Sequence, residues 1–347
     1  MSMIPASEDF ERLAVRWVSS PAAKNYPSLV AMVSAFPELY AKDRDALPQT
    51  DADRAFALAG RAAQIFDHQV VDAKTQEDAD RSTVEATAMV DEALKLDPKC
   101  HDALRIRRNL QRPTRQEMLE FLQDNAETVL AECEAQARQA GVVPPEGHMG
   151  CSPYLKPYLR WLFDIANEQL GLGRYRASLE ACDKALALDR EDVAGLRQIA
   201  ALDYVKLEDD EGLARLRAQY PDDNNAWFEL SELFLAYKRR DFEAAEAKLQ
   251  DILRTYPAPG MTLAYQEELP AGLFSHLEYA EGSDDELFVA VSEAAVILDE
   301  NCGDFASPLS SWIATHPDVE AARVLEESRA QQAAQQGDQQ EGGEQSC

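Results

Sequence analysis

Basic residues are scarce in this chain, and so are long apolar runs. Its 34 lysine and arginine residues face 63 aspartate and glutamate residues, so the 347 residues carry a formal net charge of −29. A field of that sign repels phosphate backbones and anionic lipid headgroups, and the most apolar stretch, residues 287–298, is too short to span a bilayer. We therefore expect neither nucleic acid nor a membrane as a partner. The main effect expected of this excess of acidic residues is solubility. If the charge also selects a partner, it favours a basic peptide.

Cysteine is sparse and follows no functional spacing. No CxxC pair occurs, so the pattern predicts neither a zinc ribbon nor a thioredoxin-type redox site. Scattered cysteines are typical of a reducing compartment. The first residues, MSMIPASEDFERLAV, carry acids where a signal peptide carries basic residues. We therefore predict a cytoplasmic location. The six cysteines are Cys100, Cys133, Cys151, Cys182, Cys302 and Cys347.

Signatures of catalysis and cofactor binding are absent as well. The chain has no P-loop, no dinucleotide-binding glycine fingerprint, no GxSxG elbow and no HExxH. The glycine-rich LGLGRY follows a helical pattern rather than a strand, which favours a turn between helices over a phosphate cradle. Cys100 and His101 lack further metal ligands at a useful spacing, so we interpret them as a surface pair at a helix start. The sequence thus predicts no catalytic residue, no metal site and no cofactor.

The centre of the chain has the pattern of a helical hairpin. Apolar residues recur every three or four positions from Leu159 to Leu170 and again from Tyr175 to Leu188, on either side of Gly171-Leu172-Gly173. This spacing predicts two amphipathic helices joined by a glycine turn. Because one hairpin cannot bury both of its apolar stripes, its neighbours should be of the same kind.

The boundaries of the remaining segments are predicted from proline, glycine and runs of polar residues, which interrupt regular structure. We expect the second helix of the N-terminal segment to end at Pro37, a polar insert over residues 67–80, loops around Gly272 and over residues 299–308, and Ser283 as an N-cap. The predicted segments are a helical N-terminal segment (1–50), irregular helical hairpins with one repeat-like unit (51–140), a linker with two prolines and three glycines (141–152), a repeat core (153–257), a helical C-terminal cap (258–325) and a disordered Gln-, Glu- and Gly-rich tail (326–347).

Three successive units of the core share residue offsets that resemble the tetratricopeptide repeat, a helix-turn-helix of roughly 34 residues. The second unit is shorter than the third, as is typical of divergent repeats. The resemblance implies an all-α, right-handed α-solenoid of divergent helical hairpins, with the helical N-terminal segment before it and the C-terminal cap after it. The residues at matching offsets are Leu162, Ile165 and Ala166 in the first unit, Leu196, Ile199 and Ala200 in the second, and Trp227, Leu230 and Ser231 in the third.

The order of the turns is similar to that in the tetratricopeptide family of suppressor of tumorigenicity protein 7 and its bacterial relatives. The resemblance covers about residues 80–315. It rests on Leu172-Gly173-Arg174-Tyr175, on Tyr220-Pro221-Asp222-Asp223 and on the acidic run 281–286. These motifs are structural turns, so the resemblance implies no chemistry for this chain.

Candidate partner-binding residues follow from the repeat, in which the first helix of each unit lines a concave face. Trp161 is predicted either to pack in the core or to anchor a partner there. Asn167, Arg174 and Arg197 are candidates for holding a peptide backbone or carboxylate. Asn167 stands at the offset used by clamps for C-terminal carboxylates, but Phe163 replaces the lysine of that clamp, so we expect no chaperone-tail clamp.

The function predicted from these features is that of a non-catalytic interaction scaffold, which holds a peptide or helix of a partner protein in a concave groove. One alternative is a regulatory or accessory subunit of an enzyme, or an enzyme with a pocket between the N-terminal segment and the repeat stack. Self-association is a third. The sequence leaves open whether the groove is accessible or filled by the chain's own N-terminal or C-terminal segment.

Overall fold

Helices make up the regular structure of the protein. The computed structural model describes residues 5–269, 279–299 and 307–344, with side chains described between residues 7 and 332 of those ranges. Within them no strand occurs, so the prediction of an all-α fold is confirmed. No helix in the described ranges combines the length and the apolarity needed to cross a bilayer. The described residues form two compact units, the first comprising residues 5–199 and the second residues 200–269 and 279–344.

In its described residues the first unit contains eight helices and the start of a ninth. α3 packs against α4, α6 against α7 and α7 against α8. The predicted central hairpin is therefore present as α7 and α8, and Gly173 makes the turn at a φ of +73°, a conformation that glycine adopts without strain. The helices are α1 (Pro5–Val18), α2 (Leu29–Lys42), α3 (Asp51–Gln64), α4 (Gln76–Leu96), α5 (His101–Leu110), α6 (Arg115–Ala140), α7 (Lys156–Gly171), α8 (Tyr175–Leu188) and α9 (Leu196–Leu207), which continues into the second unit.

α2 does not end at Pro37, as the sequence predicts, but continues through it to Lys42. Proline removes one helical hydrogen bond and crowds the preceding turn, which favours a break. Here Phe36 and Tyr40, on consecutive turns, both pack against the ring of Phe10 on α1. This aromatic packing on both sides of the proline holds the two halves of α2 in one helix.

The predicted polar insert after α3 is shorter than expected. A π-helical segment, Ile65–Val70, continues from the end of α3, and α4 already begins at Gln76. Thr75 is the N-cap of α4 and accepts a hydrogen bond from the backbone N–H of Asp78. Ile65 and Phe66 are buried in the alanine-rich core between α3, α4 and α5. Apolar burial therefore extends the helical structure into a segment whose polar composition suggests a loop.

The predicted linker, residues 141–152, forms no α-helix. Its backbone is hydrogen-bonded to the end of α8: the N–H of Arg190 donates to the carbonyl of Gly147, and the N–H of Gly150 donates to Asp189 Oδ1. Apart from a short 3-10 turn, Met149–Cys151, the irregular segment is thus fixed by hydrogen bonds to the end of α8.

Over the described part of the second unit, the rest of α9 is followed by eight further helices. α11 packs against α12, and α13 packs against α17. Ser283 is the N-cap of α14, as predicted, and accepts from the N–H of Glu286. α17 extends through most of the segment for which composition predicts disorder. The helices are α10 (Asp210–Gln219), α11 (Ala226–Lys238), α12 (Phe242–Thr255), α13 (Pro259–Tyr265), α14 (Asp284–Glu293), α15 (Ala295–Leu298), α16 (Pro308–Ala314) and α17 (Pro317–Glu344).

Two of the predicted loops cannot be compared with the structure. The loop around Gly272 and most of the loop over residues 299–308 fall on residues 270–278 and 300–306, which lie outside the described ranges.

Candidate functional site

Trp161 lies in the core of the first unit. Its side chain is 1% exposed, and its indole N–H donates to the carbonyl of Leu122 at 2.8 Å. The ring packs against Phe121 and His101. A buried indole needs such an acceptor, and α6 supplies it. These contacts correspond to core packing, one of the two roles predicted for Trp161, and they leave no surface of the ring for a partner.

The other three predicted residues do not form one surface with Trp161. Asn167 is exposed on α7, and Arg174 is exposed at the start of α8, where it donates to Gln116 Oε1 at 2.9 Å. Arg197 is engaged by Asp192: its Nη1 lies 3.1 Å from Asp192 Oδ2, a carboxylate that is almost fully buried. Asn167 and Arg174 are therefore open to solvent, whereas Arg197 stabilises the turn before α9.

The face of α7 that carries Lys156 and Arg160 is covered by the chain's own N-terminal helix. Arg160 donates from Nη1 to Glu8 Oε2 at 2.7 Å, and Lys156 donates to Glu11 Oε2 at 2.7 Å. Arg12 donates to Glu8 Oε1 at 3.1 Å and to the carbonyl of Pro153 at 3.0 Å. α1 therefore occupies that face of α7.

The cluster around Arg160 is a buried ion network. Arg160 also makes two bonds of 2.7 Å, from Nε and Nη2, to the two carboxylate oxygens of Asp102. Glu8 is fully buried and Arg160 is 3% exposed. Burial opposes ionisation of Asp102, but the Arg160 guanidinium outweighs it and holds the pKa of this carboxyl below its ordinary value. Each charge in the cluster therefore depends on its partners.

Two cavities next to this network are too small for a substrate. One, of about 20 Å³, is lined by Arg12, Phe56, His101 and Asp102, and the other, of about 10 Å³, by Phe56, Arg105 and Arg160 among others. A water molecule needs about 10–15 Å³, whereas a ligand pocket has about 300–1,000 Å³. Each cavity therefore accommodates about one water molecule.

Cys100 and His101 are buried, so the interpretation of a surface pair is wrong. Both residues are less than 10% exposed, because the start of α5 is covered by α1 and α6 rather than by solvent. Burial raises the pKa of the Cys100 thiol to about 12, and that of Cys133 to about 12 as well. A thiol with such a pKa is not a nucleophile at neutral pH.

The outward face of α2 is apolar and exposed. Leu29, Val30 and Val33 are 61%, 75% and 56% exposed, and Pro37 and Ala41 extend the same face. The opposite face of the helix packs in the core through Phe36 and its neighbours. α2 is thus apolar on its core face and on this exposed strip, while Ser34, Glu38 and Lys42 form an exposed polar strip beside it.

A histidine and two carboxylates meet in the second unit. His316, which precedes α17, hydrogen-bonds through Nε2 to Glu246 Oε2 of α12 at 2.8 Å. Asp318, in the first turn of α17, has its Oδ2 4.0 Å from His316 Nδ1. Within the described residues this is the group of at least three potential metal ligands whose donor atoms all lie within 4.8 Å of one another.

A pair of carboxyl groups lies near the hydroxyl of Tyr256 in the second unit. Glu286 is 2% exposed, and its Oε2 accepts from the N–H of Gly282 at 2.8 Å. Burial, together with the charge of the neighbouring Glu286, raises the pKa of Glu229 to about 7, although the nearby Tyr256 hydroxyl acts in the opposite direction. Glu229 therefore retains a proton in the folded protein at pH values where the unfolded chain has lost it.

We expect Glu229→Gln to remove part of the pH dependence of stability. The folded-state pKa of about 7 lies above the ordinary value of 4.5, so the contribution of Glu229 is present at low pH and is lost as the pH rises towards 7. The variant should match the wild type near about pH 5 and exceed it near about pH 8 in urea unfolding. Glu211→Gln, on an exposed side chain, is the control. An equal difference at both pH values would contradict the assignment.

Comparison of the chain with protein-family models, with curated proteins and with solved structures gave no match. The resemblance to tetratricopeptide proteins therefore stays a prediction. Nothing in the sequence connects His316 with Glu246, because 70 residues separate them and no local spacing links them. The sequence did not identify the outward face of α2 as a candidate surface. An apolar pattern shows that a helix has apolar faces, but not which of these faces the rest of the protein covers.

Proposed function

We propose that this chain is a non-catalytic protein-interaction scaffold, which binds an amphipathic helix of a partner protein through the outward face of α2. The observation that carries the proposal is the exposure of Leu29, Val30 and Val33 on a helix whose other face is already packed in the core. Clustered apolar exposure of this kind is typical of interaction sites.

The shape and chemistry of this face suit a helix as the ligand. From Leu29 to Ala41 the face is about 18 Å long at about 1.5 Å per residue, or about three turns. The charged residues of α2 are Glu38 and Lys42, one of each sign, so the face itself is neutral. A partner helix with apolar residues at intervals of three and four would cover it along its length.

Charge selects among partners for this face. A second copy of the chain would bring another formal charge of −29 against the first, whereas a helix with basic flanks would be attracted. We therefore favour a basic amphipathic helix over self-association, and the attraction acts mainly on the rate of association.

The finer architecture belongs to the same proposal. The shared offsets of the repeat units support divergent tetratricopeptide-type hairpins stacked as a right-handed α-solenoid, in a cytoplasmic protein. In this scheme α3–α4, α7–α8 and α11–α12 are hairpin units. Since α1 covers the basic face of α7, we place the binding surface on α2 rather than along α7.

We expect Val33→Asp to weaken binding of such a helix at least about tenfold, because a buried charge would cost more than about 1.4 kcal/mol. The probe is a fluorescein-labelled Leu/Lys amphipathic peptide of about 18 residues. Its anisotropy is followed with the full chain in about 0.3 M salt, where the Debye length is below about 8 Å. The matched control is Val84→Asp, the same change at an exposed valine of α4.

The outcomes separate the proposal from its alternatives. Equal affinity for the wild type and both variants would overturn the assignment to α2, and the absence of saturable binding would overturn the preference for a basic helix. A dimer in sedimentation equilibrium that Val33→Asp dissociates would show instead that a second copy occupies the face.

A further inference from the structure

The contact between α12 and the start of α17 gathers one imidazole and two carboxylates at the surface of the second unit. From these donors we propose that Glu246, His316 and Asp318 form a binding site for a divalent transition-metal ion of the Zn²⁺ class. Imidazole nitrogen and carboxylate oxygen are the protein donors that Zn²⁺ shares with its neighbours in the transition series.

The imidazole is the fixed member of the site. His316 is 11% exposed, and its ring packs edge-on against Trp312 with 5.6 Å between ring centres. The N–H of Asp318 donates to Nδ1 at 3.3 Å, so the neutral ring carries its hydrogen on Nε2 and donates to Glu246. An ion at Nε2 takes the place of this hydrogen, the ring then carries its hydrogen on Nδ1, and the hydrogen bond from the Asp318 N–H is lost.

The two carboxylates are held together by one amide. Gln250 Nε2 donates to Asp318 Oδ2 at 2.6 Å and to Glu246 Oε1 at 3.2 Å. Gln250 lies one turn after Glu246 on α12, so the same helix supplies a ligand and the group that orients both carboxylates. Such supporting hydrogen bonds are a regular part of metal sites.

The charge around the site is not balanced by the protein. Among the described residues neither Glu246 nor Asp318 pairs with a lysine or arginine, whereas Glu232 and Lys248 pair nearby. Two carboxylates with one neutral ring leave a site that a divalent cation neutralises.

Small side-chain movements complete the coordination. Ligand atoms about 2.0–2.2 Å from one ion in a tetrahedral site lie about 3.3–3.6 Å apart, and the three donors are within 4.8 Å of one another, so each pair has to close by at most about 1.5 Å. The side chains of Glu246 and Asp318 are 44% and 58% exposed, so they can adjust around the buried ring. Water would complete a tetrahedral site of three protein ligands.

Zinc binding by the full chain tests this proposal. Isothermal titration with ZnCl₂ under reducing conditions should give one saturable site, weakened at least about tenfold in His316→Gln, Glu246→Gln and Asp318→Asn. The matched controls should bind as the wild type does. Glu243→Gln makes the same change at an exposed position of α12, and His68→Gln replaces an exposed histidine elsewhere.

X-ray absorption at the zinc edge identifies the donors independently of affinity. The proposal requires a shell of nitrogen and oxygen at about 2.0–2.1 Å with the scattering pattern of one imidazole. A sulfur shell at about 2.3 Å would assign the zinc to cysteine and overturn the proposal. If Glu243→Gln weakened zinc binding as much as Glu246→Gln does, the proposal would also be overturned. The loss would then come from the reduced negative charge of the protein and not from the loss of a zinc ligand.

Discussion

Replacing Arg160 with methionine should lower the free energy of unfolding of the first unit by about 3–5 kcal/mol, the usual cost of removing one partner from a buried ion pair. Methionine fills a similar volume but supplies no donor. Glu8 and Asp102 would keep their negative charges inside the protein after losing the four hydrogen bonds that Arg160 makes to them. The cost is thus mainly that of two buried carboxylates that keep only their weaker cation partners, Arg12 beside Glu8 and Arg105 beside Asp102.

Urea unfolding followed by circular dichroism measures this loss, and hydrogen exchange in α1 and α5 should locate it in the first unit. The control is Arg107→Met, which breaks an ion pair with Asp91 whose side chains are about half exposed and should cost about 0–1 kcal/mol. Similar losses in the two variants would contradict the buried-charge account. Adding Glu8→Gln and Asp102→Asn to Arg160→Met should recover part of the stability, because the stranded charges are then removed.

Gly260→Ala should destabilise the second unit by about 2–3 kcal/mol, since α13 and α17 meet at this glycine without room for a methyl group. A Cβ at Gly260 would lie 2.6 Å from the carbonyl carbon of Ala322 and closer still to the backbone nitrogen of Arg323. Backbone of a packed helix cannot yield as a side chain can. The shift would also disturb Glu326, whose carboxylate accepts from the N–H groups of Gly260 and Met261 at 2.8 and 2.7 Å.

Gly171→Ala is the matched control at another helical glycine. There a Cβ would meet the guanidinium of Arg115, the far end of a side chain that is 55% exposed. The guanidinium can move aside, and alanine is favoured over glycine in a helix by about 1 kcal/mol. Thermal unfolding should therefore show a lower melting temperature for Gly260→Ala and little change for Gly171→Ala. A neutral Gly260→Ala would show that α13 and α17 are less tightly packed than described.

The local sequence pattern correctly predicted those helices, turns and caps that depend on residues close together in the chain. The apolar stripes of α7 and α8, the glycine turn between them and the serine cap of α14 all depend on neighbours a few residues away, and all are present. The continuation of α2 through Pro37 depends on packing against Phe10, which no local rule contains. The same limit applies to His101, where burial by distant helices decides the environment.

The candidate sites were less accessible to sequence reasoning than the fold. The sequence places Trp161 on a helix, but it does not show whether the side chain points into the core. In the structure the indole N–H donates to the carbonyl of Leu122, 39 residues away, which places the ring in the core. Asn167 and Arg174 were placed on the surface, yet exposure alone does not make a site. The metal-binding proposal requires Glu246 beside His316, a proximity that only the packing of α12 against the start of α17 creates.

The pairing of Glu8 with Arg160 constrains when the first unit can fold during synthesis on the ribosome. The two residues are 152 positions apart. At about 5–20 residues per second, Arg160 is synthesised about 8–30 s after Glu8. During that interval Glu8 on α1 has no Arg160 to pair with. The first unit can therefore complete its buried ion network only after Arg160 has been synthesised.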